Sequence, residues 1–236
     1  AKASEAGKMK ERADELGFSD ADAEKALADY DTVSQNGVGK DMLDQAEKAL
    51  ASVQKQLNTE YGAVLMDPPY HSHAFDGALA VIYNAGVKEN SGIFSQSQGW
   101  IILAEALSGH GKAAFQYFME NAPSAMNDKA EIRKLEPYCY GQFTEGKDSP
   151  FHGRSHVHWL TGTASTVMVG CVEGILGMRP DFDGLHINPS IPAEWDGFTV
   201  DKDFRGKKLH ITVNNPDHVQ SGVKSISLNG VDMPGD

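Results

Sequence analysis

The chain of 236 residues carries 21 basic and 33 acidic residues, which gives a formal net charge of −12. Its 40% hydrophobic and 23% charged content is typical of a globular protein. The acidic charge argues against a nucleic-acid partner, because that binding depends on Lys and Arg. No apolar run reaches the ~18 to 20 residues of a membrane helix, so we expect no membrane partner either.

The two cysteines, Cys139 and Cys171, are too few and too far apart for a disulfide framework or a metal-ligand spacing. The first residues are polar and charged, unlike the apolar stretch of a secretory signal. We therefore expect both cysteines to be reduced core residues of a cytoplasmic protein.

The first part of the chain has a helical pattern from residue 1 to about residue 57, with a loop predicted at residues 35–39. Its apolar stripe recurs at steps of three and four residues and consists of Met42, Leu43, Ala46, Ala49, Leu50, Val53 and Leu57. Residues 58–99 are rich in Gly, Pro, Tyr and His, and predict a long loop region. Long ordered loops are often functional.

Further helices are predicted at residues 100–107, 112–121, 130–143 and 161–176, with the third interrupted near Pro137. Small residues in the last of these would let neighbouring helices approach closely. They are Gly162, Ala164, Ser165, Gly170 and Gly174.

After Pro180 the pattern changes to short runs with partial alternation, at residues 185–187, 198–200, 209–213 and 223–228. Helices followed by strands predict an α+β fold, without the alternation of a doubly wound sheet. We place a helical domain at residues 1–180 and a β-rich domain at residues 181–236.

The loop at residues 83–100 has the first candidate site. Lys88 and Glu89 lie in a stretch rich in glycine and amides, and offer donors and acceptors suited to sugar hydroxyls, while Tyr83 offers a flat apolar face. The alternative is a solvated charge pair in a turn.

The segment at residues 155–165 contains the second candidate site. Its Thr161-Gly162-Thr163 opens a helix, where backbone N–H groups and hydroxyls can meet an anion; a plain helix cap is the alternative. His156 and His158 share a face if the segment is extended, but two histidines without a third ligand are weak evidence for zinc, so we expect no metal.

The third polar segment, residues 126–140, has alternating acidic and basic side chains typical of a charged helix face. The sequence has no Gly-x-Ser-x-Gly elbow, P-loop or dinucleotide fingerprint. Serine hydrolase, nucleotide triphosphate and NAD chemistry are therefore poorly supported, and we expect no organic cofactor.

Five ordered motifs resemble glycoside hydrolase family 94, which contains cellobiose, chitobiose, laminaribiose and cellobionic acid phosphorylases. They are LNTEYGAVLMDPPY, GVKENSGIFSQSQGW, KLEPYCYGQF, HWLTGTAS and GILGMRPDFDGLHINPSIPAEW, and they lie within residues 57–213. The resemblance implies the C-terminal part of an (α/α)6 barrel, followed by a small β-sandwich-like region, and a homodimer.

The implied reaction is reversible phosphorolysis of a β-linked disaccharide with inversion, which yields a sugar 1-phosphate. As in an inverting glycosidase, one carboxylic acid protonates the leaving oxygen while the nucleophile attacks the opposite face. Inorganic phosphate takes the place of water as co-substrate. Because phosphate is already anionic, it needs no protein base but must be held by hydrogen-bond donors.

By this resemblance, Thr161 and Gly162 match the Thr-Gly that contacts phosphate in the family. Gln96 falls where cellobiose phosphorylases have a phosphate-binding His; its amide can donate but brings no charge. Lys88 and Glu89 match the Lys-Glu of the acceptor-sugar subsite.

Tyr83 matches an aromatic residue of that same subsite. A Glu that cellobiose phosphorylases carry shortly before this aromatic has no counterpart in Gly77-Ala78-Leu79-Ala80. We therefore expect cellobiose to be a poor substrate; an aldonate such as cellobionate would suit the charge of Lys88.

The general-acid Asp of the family lies in an Asp-Trp-Asn-Asp-like segment that does not occur in this sequence. The donor-sugar residues and phosphate-binding Arg residues that precede it are missing too. We therefore expect this chain alone to be inactive. Two alternatives remain: a non-catalytic carbohydrate-binding or assembly module, and a six-hairpin hydrolase whose carboxylates would be among Asp67, Asp76 and Glu89.

Overall fold

The computed structural model describes residues 40–71 and 82–233. The helical pattern predicted before residue 40, the loop at residues 35–39, the stretch at residues 77–80 and Asp76 lie outside the described residues. The chain divides into two compact units, residues 1–49 and 50–236, and the boundary falls within helix α1 (Lys40–Ser52). In the first unit, Met42 and Leu43 of the predicted apolar stripe are 51% and 54% exposed.

The second unit begins with the end of α1, which continues as a π-helical turn. The apolar stripe predicts helical structure in this stretch, up to about residue 57. Its other helical segments follow in chain order: Val53–Leu57 (π), α2 (Ser95–Leu107), α3 (Gly111–Asn121), Pro123–Lys129 (3-10), α4 (Ala130–Arg133), α5 (Thr163–Val169) and Gly170–Ile175 (π).

Helix α2 starts at Ser95 rather than at the predicted Trp100. The prediction of a helix at residues 130–143 is mostly wrong. Helix α4 ends at Arg133 because Lys134 adopts a left-handed conformation with φ of 54°. Pro137 then disfavours helical geometry in the residue before it, and the chain continues into a strand.

Helix α2 lies at the centre of this unit and packs against α3, α5 and the π-helical turn after α5. A Cβ built on Gly99 of α2 would lie only 2.4 Å from the backbone carbon of Thr166, and one on Gly170 would lie 2.9 Å from the Gly99 oxygen. The prediction that small residues allow close helix packing is confirmed at Gly170. The buried core consists of Ala63, Ile102, Ala106, Ala114, Tyr117, Val167, Ile175 and Ile191.

Three short strands that the sequence analysis missed form an antiparallel sheet in the order β1 (Ile93–Phe94), β2 (Gly141–Thr144) and β3 (Ser155–His158). In this sheet Phe143 of β2 pairs with Phe94 on one side and with His156 on the other. The sheet therefore joins three segments that are distant in the sequence.

All four runs predicted after residue 180 contain strands, and these form three antiparallel pairs together with two strands that were not predicted, at residues 178–180 and 231–233. The pairs are β4 (Met178–Pro180) with β5 (Leu185–Ile187), β6 (Gly197–Phe204) with β7 (Lys207–Asn214), and β8 (Ile226–Leu228) with β9 (Val231–Met233). The predicted α+β class is confirmed. Within the described ranges, no helix is both long and apolar enough to cross a bilayer.

Candidate sugar and phosphate site

The loop that carries Lys88 is fixed by the fully buried side chain of Asn90. Its Nδ2 donates to the carbonyl oxygens of Tyr70 and Tyr83, each at 2.9 Å, and its Oδ1 accepts from the Tyr70 N–H at 2.8 Å. The buried Ser91 hydroxyl donates to the Met66 carbonyl at 2.6 Å. Because their partners are backbone groups of separate segments, these two side chains set the path of the loop.

Lys88 adopts a left-handed backbone conformation, with φ of 48°. Its carbonyl accepts a hydrogen bond from the Gly92 N–H at 2.8 Å, which closes the turn. The Lys88 Nζ lies 5.4 Å from the ring centroid of Tyr83 and 5.8 Å from that of Phe143. Both distances are within cation–π range, so the ammonium group interacts with both rings. The structure thus brings together the predicted residues Tyr83 and Lys88, while the side chain of Glu89 is exposed.

A row of stacked rings lies across the three-stranded sheet. The Phe143 ring stacks against Phe94 at 6.1 Å and against the His156 imidazole at 4.8 Å. The His156 Nε2 lies 2.6 Å from Oε1 of Glu145, which is only 5% exposed and also accepts a hydrogen bond from the Ser149 hydroxyl. A buried carboxylate therefore fixes the imidazole that packs against Phe143.

Gln96 lies in the first turn of α2 with an exposed side chain. A Cβ built on Gly162 would lie 3.5 Å from both Cδ and Nε2 of Gln96, so the amide faces this glycine directly. The Thr166 hydroxyl donates to the Gln96 carbonyl at 2.9 Å. The structure thus brings the predicted residues Gln96 and Gly162 together, at the adjoining starts of α2 and α5.

Thr161 precedes Gly162, the residue that caps α5. Its Oγ1 accepts a hydrogen bond from the Thr163 N–H at 3.2 Å and lies 2.6 Å from the Thr163 Oγ1. The hydroxyl therefore bonds to the first residue of α5, while the cap position itself is Gly162 and makes no side-chain cap hydrogen bond, so the anion site and the plain cap both stay predictions. When Thr163 donates to the Thr161 hydroxyl, the proton of that hydroxyl remains available for another acceptor.

The two clusters are connected through the sheet. Phe94, whose ring packs against Phe143 beneath Lys88, is the residue immediately before α2 and lies two positions from Gln96. Strand β3 ends at His158, three residues before Thr161. Lys88 therefore contacts one side of a sheet whose outer strands lead directly to Gln96 and Thr161.

A family model described as "Glycosyl hydrolase 94 superfamily, catalytic domain" matches residues 10–177. The chain belongs to this superfamily. A second model, "Glycosyl hydrolase family 65, C-terminal domain", matches residues 178–225. The family 94 resemblance carried by the five motifs is confirmed.

Among curated relatives, an N,N'-diacetylchitobiose phosphorylase of Vibrio proteolyticus is 40% identical over 81% of this chain. The protein of the same name from Vibrio furnissii is 40% identical over 79% of the chain. A solabiose phosphorylase of Paenibacillus borealis is 25% identical over 82%. These matches cover 24%, 23% and 25% of the relatives, so this glycosyl hydrolase 94 chain spans about a quarter of their length.

The histidines considered for zinc in this chain each have a carboxylate partner. His156 pairs with Glu145, and Nδ1 of His158 lies 3.0 Å from Oε2 of Glu136. In the described part of the chain, the one group with metal-ligand geometry is the exposed set Asp181, Asp183 and His186, none of which belongs to the candidate site. Exposed acidic groups of this kind are common without an ion, so the absence of a metal site stays a prediction.

Both cysteines of the glycosyl hydrolase 94 chain are free thiols. Cys139 is fully buried, and burial raises the pKa of the Cys171 thiol to about 11. Because only a thiolate reacts readily, Cys171 fits the predicted structural role.

The hydrolase alternative gains little from this site. Asp67 forms an ion pair with Lys147, at 2.8 Å between Oδ2 and Nζ, and Glu89 is exposed. Asp76 lies outside the described residues.

Sequence reasoning did not single out Asn90, Phe143 or Glu145. Phe143 and Asn90 lie within the recognised motifs, so their positions were visible in the sequence, but only the structure shows that they are buried. Glu145 is identified as a partner of His156 only by the sheet pairing.

Proposed function

We propose that this chain is the part of an inverting disaccharide phosphorylase that binds the acceptor sugar and inorganic phosphate. Tyr83, Lys88 and Glu89 bind the sugar, and Gln96, Thr161 and Gly162 bind phosphate. In this proposal residues 1–180 are the C-terminal part of an (α/α)6 barrel, and residues 181–236 form a small β-sandwich-like domain. One observation carries the proposal: Gln96 lies against Gly162. Gln96 also follows Phe94 by two positions, and the Phe94 ring stacks on the Phe143 ring that Lys88 contacts.

The sugar half of the proposal rests on complementary chemistry. Tyr83 offers a ring face for the apolar side of a pyranose, and Lys88 supplies charged N–H donors. Glu89 is exposed and accepts hydrogen bonds from hydroxyls. Because Asn90 and Ser91 fix the loop from below, the donors and acceptors would be ordered before the sugar arrives, which reduces the entropic cost of binding.

The phosphate half relies on neutral donors. The Gln96 amide, the Thr161 hydroxyl and backbone N–H groups at the start of α5 can each donate to a phosphate oxygen. Donors fixed in advance are suited to an anionic nucleophile, because they stabilise its charge without rearranging during the reaction. Arg residues that the family carries upstream would add the missing positive charge.

We propose that the general acid is supplied by a segment outside this sequence. None of the six site residues is a carboxylic acid buried beside a leaving group, and the Asp-Trp-Asn-Asp-like segment does not occur in the sequence. The chain by itself therefore binds ligands without cleaving a disaccharide. The family resemblance also leads us to propose a homodimer. The cysteine usage leads us to propose a cytoplasmic location, and the missing cofactor motifs a reaction without a cofactor.

Calorimetry on the purified chain tests the binding. We expect inorganic phosphate to bind the wild type, and Thr161→Val to weaken it by about tenfold, the value of a lost hydrogen bond to a charged group. Lys88→Met should instead weaken the binding of glucose, N-acetylglucosamine and gluconate, and the binding of gluconate should be weakened most. Thr199→Val and Lys224→Met, at exposed positions of the β-rich region, are the controls.

The outcomes separate this proposal from its alternative. Phosphate affinity that is unchanged in Thr161→Val would contradict the assigned phosphate site. Sugar binding without any phosphate binding would favour the carbohydrate-binding or assembly module.

A second assay tests the absence of turnover. The chain is incubated with phosphate and N,N'-diacetylchitobiose, cellobiose or cellobionate, and we expect no sugar 1-phosphate. Release above the background without protein would refute the claim that the acid lies elsewhere.

A further inference from the structure

An open cleft of about 400 Å³ lies between helix α3 and the turn at Pro192–Trp195. It is lined by Lys112, Phe115, Gln116, Pro192, Glu194 and Trp195. None of these residues belongs to the proposed sugar and phosphate site.

The two walls of the cleft are held together at its base. A Cβ on Gly111, the first residue of α3, would lie only 2.2 Å from the Ile191 carbonyl oxygen, so only glycine permits this approach. The next N–H, of Lys112, donates to Oε1 of Gln220 at 2.8 Å. The cleft is therefore a fixed feature of the packing between α3 and the segment before Trp195.

Two aromatic rings form the apolar surface of the cleft. Trp195 and Phe115 are half-buried and meet edge to face, with ring centroids 5.1 Å apart. The backbone at Trp195 is pinned, because the side chain of Asn215, only 6% exposed, donates to its carbonyl at 3.1 Å. The backbone N–H of Trp195 also donates to the Pro192 carbonyl, at 3.1 Å. The rings are thus positioned before any ligand binds.

The rim of the cleft carries both donors and acceptors but no net charge. Nζ of Lys112 lies 3.8 Å from Oε1 of Glu194, and these side chains are 71% and 66% exposed. An exposed pair at this distance contributes little to stability, so both groups can turn towards a ligand. The Gln116 amide donates to Glu120 at 2.7 Å and leaves its carbonyl oxygen as a further acceptor.

We propose that this cleft is a second carbohydrate-binding site, which holds a residue of a neutral oligosaccharide. The apolar C–H face of a pyranose packs on the ring of Trp195, and its hydroxyls are satisfied by Lys112, Gln116 and Glu194. The opposite charges of the rim favour an uncharged, hydroxyl-rich ligand over an anion or a cation. Sites of this kind combine aromatic surface with a few polar groups that orient the ligand.

The indole N–H signals in a ¹H–¹⁵N spectrum test this inference, because the chain has three tryptophans. The signal of Trp195 is assigned by its loss in Trp195→Phe. On titration with cellotetraose or tetra-N-acetylchitotetraose, both uncharged, we expect this signal to shift and saturate. Lys112→Met and Glu194→Gln each remove rim chemistry at an exposed position, and should weaken the binding several-fold as measured by this signal. Trp195→Ala removes the signal itself, so its binding is measured by calorimetry, where we expect a loss of about tenfold or more. Phe182→Ala, at a residue that is 98% exposed, is the control and should bind as the wild type.

The test distinguishes this site from the proposed phosphorylase site. The Trp195 shift should persist in Lys88→Met and in Thr161→Val, whatever happens to phosphate binding. A Trp195 signal that does not move up to the solubility limit of both sugars would overturn the inference. So would a shift that is unaffected by both rim substitutions, or one that sodium sulfate reproduces.

Discussion

Lys88 combines a left-handed backbone with an ammonium group that lies within cation–π distance of both Tyr83 and Phe143. A non-glycine residue in this conformation costs on the order of 1–3 kcal/mol, and persists only where the surroundings fix it. Here the fixing groups are the buried Asn90 and Ser91 on the following turn. Strain that is maintained by buried hydrogen bonds is typical of positions where a side chain must be presented to a ligand.

Gln96 gives a charge test of the phosphate site. In Gln96→His, the new imidazole would face Gly162 and become charged as the pH falls through about 6.5. We expect sulfate, which stays a dianion throughout, to bind this variant up to about tenfold more tightly at pH 5.5 than at pH 8. Calorimetry across this pH range measures the effect.

The wild type should show a much flatter sulfate profile over the same range. The control is Gln56→His, which places the same group at an exposed position of the π-helical turn after α1. A pH response equal in both His variants would mean that Gln96 has no special relation to the anion.

At the level of single residues, sequence alone predicted which side chains suit a sugar and an anion, but not their contacts. The pairing of Lys88 with Tyr83 spans five positions in one loop, and that of Gln96 with Gly162 joins two helix starts. Spacing cannot give such contacts, because they depend on how separate segments pack. The family resemblance assigned these residues, and their convergence on one ligand site stays a prediction.

At the scale of the elements, helices α2 and α5 approach each other closely at Gly99. A Cβ at this position would meet the Thr166 backbone at 2.4 Å, and backbone atoms cannot turn away as a flexible side chain can. We expect Gly99→Ala to lower the free energy of unfolding by about 1–3 kcal/mol, or more, through overpacking. Urea denaturation measures the change.

Gly184→Ala is the matched control, since a Cβ there meets nothing within 4 Å. Its unfolding midpoint should stay within the small range of ordinary surface substitutions. Equal stability of Gly99→Ala and the wild type would mean that α2 and α5 are not packed as described.

Elements with strong local signals were predicted well. Helix α3 lies between Gly111 and Pro123, and the strands of the β6–β7 pair carry alternating burial over eight residues each. The sheet of β1, β2 and β3 was missed because two- and four-residue strands are too short to show alternation. Its stability comes from pairing between distant segments, and the same pairing interrupts the helix predicted at residues 130–143.

For the whole molecule, burial of His152 ties stability to pH. Desolvation by burial lowers the pKa of its imidazole, and its Nε2 has no hydrogen-bond partner in the described part of the chain. The unfolded chain therefore binds more protons as the pH falls below about 6.5. The stabilisation from the neutral ring is present above that pH and is lost as the pH falls through the folded-state pKa.

We expect His152→Phe, which keeps the edge contact with Tyr61, to lose less stability than the wild type between pH 7 and pH 5. Urea denaturation at each pH gives the two profiles. His218→Phe replaces an exposed histidine and is the control. Parallel profiles for His152→Phe and the wild type would contradict the role of the buried imidazole.

The net charge of −12 also acts on the whole molecule, because it repels phosphate at long range. Phosphate binding by this chain must therefore come from donors concentrated at one place. We predict that the cluster around Lys88 and the cluster around Thr161 serve a single site.

Backbone amide shifts of the ¹⁵N-labelled chain, followed during titration with phosphate and then with N-acetylglucosamine, test this most directly. We predict that phosphate first shifts the Gly162 and Thr163 signals, that the sugar then shifts those of Lys88 and Glu89, and that each ligand changes the affinity for the other. Shifts confined to other regions would contradict a single shared site. So would two ligands that bind without changing each other's affinity.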